Sequence, residues 1–324
     1  MALVMPEIDC TTFFDALNPR VRTRDKVSIE IDDHTYLPEG ELLDGWLPRT
    51  REAFRLLARS AGEPARTYQS MGIVGCGPGV DAALAVELLD PTLLVLMDLR
   101  QDIVNIAVEN VRRNCIIRPG NEVTGYESDL CGALRRMGKR VDLIYENLPN
   151  LPALKGLTLD HSALTASFYD DSTYAPIPKE YDRLMLGLHY RFLVEARECL
   201  EPGGQVISCV GGRVPFGAIE SMFLKLGYRP SLLVTDIVRQ FEAERLLPQY
   251  SYLEQQTGMK FRFLPLEAGK ATFAQLRDAG VASGSIAEEL HRRGAFIDAH
   301  DANVRQMLGK HIGVVGFVIQ ASLT

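Results

Sequence analysis

Residues 69–98, QSMGIVGCGPGVDAALAVELLDPTLLVLMD, decide how the rest of the chain is read. Met71 to Val74 is a short apolar run that suits a buried parallel strand, and it breaks into Gly75-Cys76-Gly77-Pro78-Gly79. Val80 to Leu89 then follows helical spacing, and a second apolar run, Thr92 to Met97, stops on Asp98. The pattern is strand, glycine turn, helix, strand, acid, with the acid about twenty residues past the turn. Such a unit suits a nucleoside: glycines let the backbone approach the ligand, the helix amino end offers free N–H groups, and the acid accepts from ribose hydroxyls. The glycines read GxGxG, and Val80 stands where a dinucleotide fingerprint has its third glycine, which weakens the case for NAD. A turn that serves topology alone is the plain alternative.

Further strands follow in the same alternation. Gln101 to Asn114 is predicted as a helix, Glu122 to Tyr126 as a third strand leading to Glu127-Ser128-Asp129-Leu130, and Val141 to Tyr145 as a fourth running into Glu146-Asn147-Leu148-Pro149-Asn150. Two prolines, Pro149 and Pro152, fix an extended exit from the sheet. Leu154 to Lys179 has little periodicity and is expected to be a long functional loop. Glu180 to Leu200 is expected to be one long helix, closed by Glu201-Pro202-Gly203-Gly204 ahead of a strand over 205–210. Phe216 to Leu226 is a helix, 231–238 a strand, and His311 to Leu323 the last strand, with a further strand at 260–264 and helices at 272–277 and 286–293 between them.

The expected organisation is an amino-terminal helical and hairpin cap over 1–68, a nucleotide-binding core over 69–240, an insertion of open role over 241–310 and a final core strand over 311–324. In the cap, Val27 to Ile31 alternates as a strand, Asp32-Asp33-His34 turns, Thr35-Tyr36-Leu37 returns, and Glu41 to Leu57 is amphipathic. The cap either covers the ligand or serves packing alone.

A chain of 324 residues, 46% hydrophobic, can bury one large core. Its net charge of -7 opposes general attraction to nucleic acid, and the basic cluster Arg135 to Arg140 reads as a solvated helix end. The six cysteines fall singly without a CxxC pair, as expected of free thiols in a reducing cytoplasm, and no metal site is indicated. The amino terminus lacks a basic region followed by a long apolar run, and no membrane span is expected.

The order of elements, with GCGPG in the first turn, Asp98 ending the second strand, Asp129 after the third and Asn147-Leu148-Pro149-Asn150 after the fourth, resembles class I S-adenosylmethionine-dependent methyltransferases over roughly residues 69 to 240 and the final strand. The resemblance implies an α/β fold, a Rossmann-like sheet, mostly parallel with its last strand antiparallel. It also implies S-adenosylmethionine as cofactor, with Gly75, Gly77 and Gly79 under the methionine part, Asp98 on the ribose, and Asp129 with Leu130 at the adenine. A narrower similarity is to the amino-methylating branch, whose fourth strand ends in Asn-Pro-Pro-Tyr. Asn147 and Pro149 match it, Leu148 and Asn150 do not, and the aromatic that would stack on an amide or base is missing.

A sulfonium methyl is already activated, so an enzyme of this kind mainly positions a nucleophile and manages its proton. Asn147 offers a carbonyl oxygen to a substrate amine; Asn150 would do likewise or tie down the turn. Tyr145, Tyr169 and Tyr174 are candidates to face the sulfonium or to pack in the core, and His161 is a candidate base or a solvent-facing loop residue. Three functions stay open: methyl transfer to a small molecule in specialised metabolism, cyclisation of the cofactor itself to azetidine-2-carboxylate with release of methylthioadenosine, and a silent cofactor-binding module. The expected partners are a small-molecule substrate or the cofactor alone, with no nucleic acid and no membrane, and with monomer and homodimer both open.

Overall fold

The computed structural model of the chain describes residues 7–9, 23, 26–31, 45–60, 68–152, 168–169 and 177–324. Before the core lie β1 (Glu7–Asp9), β2 (Lys26–Ser28) and α1 (Leu47–Ser60). The core runs β3 (Ser70–Val74), α2 (Val80–Leu88), β4 (Leu93–Asp98), α3 (Gln101–Asn114), β5 (Glu122–Glu127), α4 (Gly132–Met137) and β6 (Val141–Glu146). Next come β7 (Leu151–Pro152), β8 (Phe168–Tyr169), α5 (Lys179–Arg183), α6 (Gly187–Cys199), β9 (Leu200–Gly211), α7 (Phe216–Lys225) and β10 (Tyr228–Arg239). The chain ends with α8 (Ala243–Thr257), β11 (Leu264–Pro265), α9 (Leu266–Asp278), α10 (Ser283–Arg292), α11 (Ala299–Met307) and β12 (Ile312–Leu323).

The main sheet has the order β10-β12-β9-β6-β3-β4-β5. Its pairs from β9 through β5 are parallel, and β12 lies antiparallel between β9 and β10. This is the mostly parallel sheet with a reversed last strand that the resemblance implies. Strand order turns back between β3 and β6, the place where open α/β sheets form a crevice at their carboxyl ends. Alternate side chains go to opposite faces: Ile73 and Leu96 pack with α1, α2 and α3, whereas Val74 and Met97 pack with α4, α6 and α7. Coverage on both faces explains why these strands read as continuous apolar runs.

Several expectations shift. The long helix over 180–200 is two helices, because Met185 takes a left-handed φ of 56° between them. Strand β9 starts at Leu200, so the Glu201-Pro202-Gly203-Gly204 segment lies within it, and a shift in the β6 pairing between Val141 and Leu143 accommodates the irregularity. Strand 260–264 reduces to Leu264–Pro265, which pairs with β12 and ends where Pro265, lacking an N–H to continue a ladder, caps α9. In the cap, α1 is shorter than the stretch over 41–57 at its start, β2 pairs with Glu7–Asp9, and the hairpin return at 35–37 lies outside the described residues. No helix among the described residues is long and apolar enough to cross a membrane. The five described cysteines are free and buried.

Candidate active site

The glycine turn and the first acid meet directly. Gly77 N–H donates to Asp98 Oδ2 at 3.0 Å, while Leu99 N–H donates to Oδ1 at 2.8 Å. Gly75 and Cys76 both donate to the Met97 carbonyl, which pins the turn to the end of β4. Gly75, Gly77 and Gly79 all have positive φ, at 69°, 47° and 83°. A Cβ on Gly77 would meet nothing within 4 Å, so this part of the turn is a bare cradle open to the crevice. No side chain caps α2 behind it, which leaves first-turn N–H groups for a ligand. Burial raises the Asp98 carboxyl to about 6, and the N–H groups of Gly77 and Leu99 offset part of that rise. Ribose hydroxyls donating to Asp98 would favour its charged form, so these residues suit an adenosyl ligand.

Along the same edge, Ser128 N–H donates to the Asp98 carbonyl at 2.7 Å and places the following residues beside it. Leu130 is buried with a φ of 46°, and Asp129 is exposed with Arg191 at 4.0 Å. After β6, Asn147 is half-buried and makes no hydrogen bond to a described residue. It lines a cavity of about 160 Å³ together with Trp46, Arg49, Asn150 and Arg213. Leu148 joins this cavity to the turn, because its Cδ2 lies 3.2 Å from where a Gly75 Cβ would stand.

Asn150 is occupied by the protein. Its Oδ1 accepts from Arg213 Nη1 at 3.2 Å, so its Nδ2 donates to His189 Nε2 at 3.1 Å, and His189 Nδ1 donates to Glu146 Oε1 at 2.9 Å. Both His189 and Glu146 are buried, and Glu146 Oε2 also accepts from Leu148 N–H at 3.0 Å. The Glu146–His189–Asn150–Arg213 chain therefore fixes the turn after β6, the second of the two roles open to Asn150. His189 had no local signal in the sequence; it lies on a helix face 43 residues from its acid partner.

Tyr145 does not face the crevice. It is fully buried, donates its hydroxyl to Asp81 Oδ2 at 3.0 Å, and stands 2.9 Å from Thr50 Oγ1. Tyr169 is described only in its backbone, which pairs with Pro152; His161 and Tyr174 lie outside the described residues. Among the described residues no group of three His, Cys, Asp or Glu could hold a metal.

No protein-family model and no curated protein matches this sequence. Solved structures are similar in chain course. One is a ribosomal protein L11 methylase of Lactobacillus delbrueckii subsp. bulgaricus, at 15% identity over 60% of this chain and 74% of that one, with a TM-score of 0.37. A SAM-dependent methyltransferase of Agrobacterium tumefaciens is similar at 12% identity over 66% and 60%, TM-score 0.42, and a cyclopropane synthase of Mycobacterium tuberculosis at 12% over 89% and 88%, TM-score 0.40. At these identities and TM-scores the likeness carries no argument about substrate or chemistry.

Proposed function

We propose that the chain is an S-adenosylmethionine-dependent enzyme of specialised metabolism that transfers a methyl group to a small-molecule acceptor at an amine or an activated carbon or oxygen. The observation that carries this reading is the joint between the open glycine turn and the strand-end acid, Gly77 N–H on Asp98 Oδ2. This arrangement supports an adenosyl ligand there, and Asn147, after β6, makes no hydrogen bond to a described residue. When bound, the cofactor supplies a methyl carbon on a positively charged sulfur. Asp98 would hold the ribose, Gly75 to Gly79 would give the backbone surface for the methionine part, and Asp129 with Leu130 would border the adenine. Asn147 would accept a hydrogen bond from an acceptor amine and aim its lone pair. A base such as His161, or solvent, would take the proton of an acceptor so held. A net charge of -7 supports a small molecule over nucleic acid, and a cytoplasmic setting is part of the proposal.

A second reading makes the cofactor its own substrate, its amine closing on its side chain to give azetidine-2-carboxylate and methylthioadenosine. What favours it is the size of the space beyond Asn147, about 160 Å³, well below the ~300–1,000 Å³ usual for a drug-sized ligand. Incubation with the cofactor alone and with candidate acceptors, followed by mass detection, separates the readings. S-adenosylhomocysteine formed only with an acceptor supports transfer; methylthioadenosine from the cofactor alone supports cyclisation; binding without either product would overturn both in favour of a silent module.

A further inference from the structure

Two guanidinium groups, those of Arg49 and Arg213, line the cavity beside Asn147, and no described carboxylate bonds to either. Arg49, from α1, is 7% exposed, and its Nε has no hydrogen-bond partner. Arg213, just past β9, is half-buried and held by neutral acceptors: Gln240 Oε1 accepts from Nε at 3.2 Å and from Nη2 at 2.6 Å, and Asn150 Oδ1 accepts from Nη1. Among the described residues neither arginine forms an ion pair. Asp236 and Asp81 act on Arg49 only through space, and Asp81 already accepts from Trp46 Nε1 and Tyr145. The two arginines are near enough to repel one another. A buried cation without a hydrogen-bonded counter-charge is expensive, which makes the arrangement incomplete as it stands.

The sheet has been cleared to admit them. Gly316 of β12 and Gly211 of β9 are register partners, so they open the same spot on one face. Any side chain at Gly316 would overlap the Arg49 guanidinium, and any at Gly211 would overlap Arg213 Nη1. Glycine weakens the interior of a strand and often marks a place where something approaches closely. A facing pair of glycines in the antiparallel half of the sheet, each making room for a separate arginine, is a built feature.

We propose that this cavity seats a carboxylate between Arg49 and Arg213, so that the molecule handled beside Asn147 is a small acid. The inference deepens the function proposed above and rests on it for what lies next door. Guanidinium groups bind carboxylates with paired, planar hydrogen bonds, and both arginines line this cavity. The carboxylate comes either from a second substrate or from the methionine end of the cofactor.

Calorimetry on the full chain tests this without any turnover. The probes are S-adenosylhomocysteine, its decarboxylated analogue that keeps the amine, and the pair propionate and propionamide. If the cofactor supplies the acid, the decarboxylated analogue binds the wild type roughly 30-fold more weakly or worse, the scale of cutting one partner from a buried charge pair. Arg49→Met then brings that ratio close to one. If a second substrate supplies it, the ratio is close to one already, and protein saturated with S-adenosylhomocysteine binds propionate but not propionamide, a preference that Arg49→Met abolishes. A wild type that treats both pairs alike overturns the proposal, and this comparison needs no variant to fold. Failure of S-adenosylhomocysteine to bind sinks the adenosyl reading instead, and propionate against propionamide on the unloaded protein still decides the carboxylate.

Discussion

Gly77 and Gly79 both take positive φ, but for different reasons. At Gly77 the added methyl would enter open space, so alanine there bears only the backbone penalty of about 1–2 kcal/mol. At Gly79 a Cβ would lie 2.8 Å from the Ala107 carbonyl oxygen of α3, which adds a clash that only a shift of the helix relieves. Gly79→Ala should therefore lower the thermal midpoint clearly more than Gly77→Ala, whereas Gly77→Ala should cost more ligand affinity than its small loss of stability explains. Asp98→Asn keeps an oxygen for Gly77 N–H and loses the charge that, on the proposed function, would meet the ribose. Its dissociation constant for S-adenosylhomocysteine should rise roughly 10- to 100-fold, the span of about 1.5–3 kcal/mol for hydrogen bonds to a charged group. The pH dependence has a definite sign. Folding raises this carboxyl from 3.8 to about 6, so the folded protein holds the extra proton between those values and Asp98's contribution to stability falls as pH rises through that window. Ligand affinity, which needs the anion, should fall as pH drops below about 6, and in Asp98→Asn both slopes should flatten. The meeting of the glycine turn with Asp98 was legible because it is local and set by spacing. Arg49 and Arg213 were not, because they meet only where Gly211 and Gly316, far apart in sequence, face one another on paired strands.

Between elements, α1, α2 and β6 are joined by one buried polar cluster. Trp46 Nε1 reaches both oxygens of Asp81 at 3.1 Å, Tyr145 donates to the same carboxylate, Thr50 lies against the Tyr145 hydroxyl, and the Phe54 ring meets the Tyr145 ring edge-on at 5.3 Å. Burial raises Asp81 to about 6, and the hydrogen bonds from Tyr145 and Trp46 resist the rise. Tyr145→Phe keeps the packing and strips one donor from a buried acid, so it should cost about 1–3 kcal/mol by chemical denaturation. Wild-type stability in that variant would mean the cluster does not anchor α1. Alternation along β6 explains why the sequence left both places open to Tyr145: Tyr145 and Glu146 point to opposite faces, and nothing in the stretch Val141 to Tyr145 tells which face meets the crevice. The break at Met185 was hidden for a similar reason, since the residues on either side keep helical spacing while tertiary packing turns the chain.

At the scale of the whole molecule, the pattern of strand, turn and acid was enough to find the parallel strands one after another along the chain, because each unit carries its own punctuation, while their order in the sheet comes from the structure. Residues 241–310 were legible only in pieces, since their helices are held by one another and by the outer strands. They share the core on the α6 and α7 face: Leu247, Tyr250, Phe261, Phe263, Leu276 and Leu290 belong to the same buried cluster as Phe192 and Phe223. Buried Glu254 ties the segment together by accepting from Phe261 and Ala299 N–H at 2.7 and 3.1 Å. Such continuity makes the segment part of the folding unit, and it can be tested with the chain's single tryptophan, Trp46, which packs with the opposite cluster beside α2. Phe263 is fully buried, packs edge-on to Tyr250 at 5.4 Å, and exchanges two backbone hydrogen bonds with Ile297. Phe263→Ala should cost about 3–5 kcal/mol. If the chain unfolds as one unit, the midpoint seen by Trp46 fluorescence must fall with the midpoint seen by far-ultraviolet circular dichroism, although the lesion sits in the other core. A Trp46 transition that stays at its wild-type position while the helical signal melts earlier would show residues 241–310 to be a separately folding appendage.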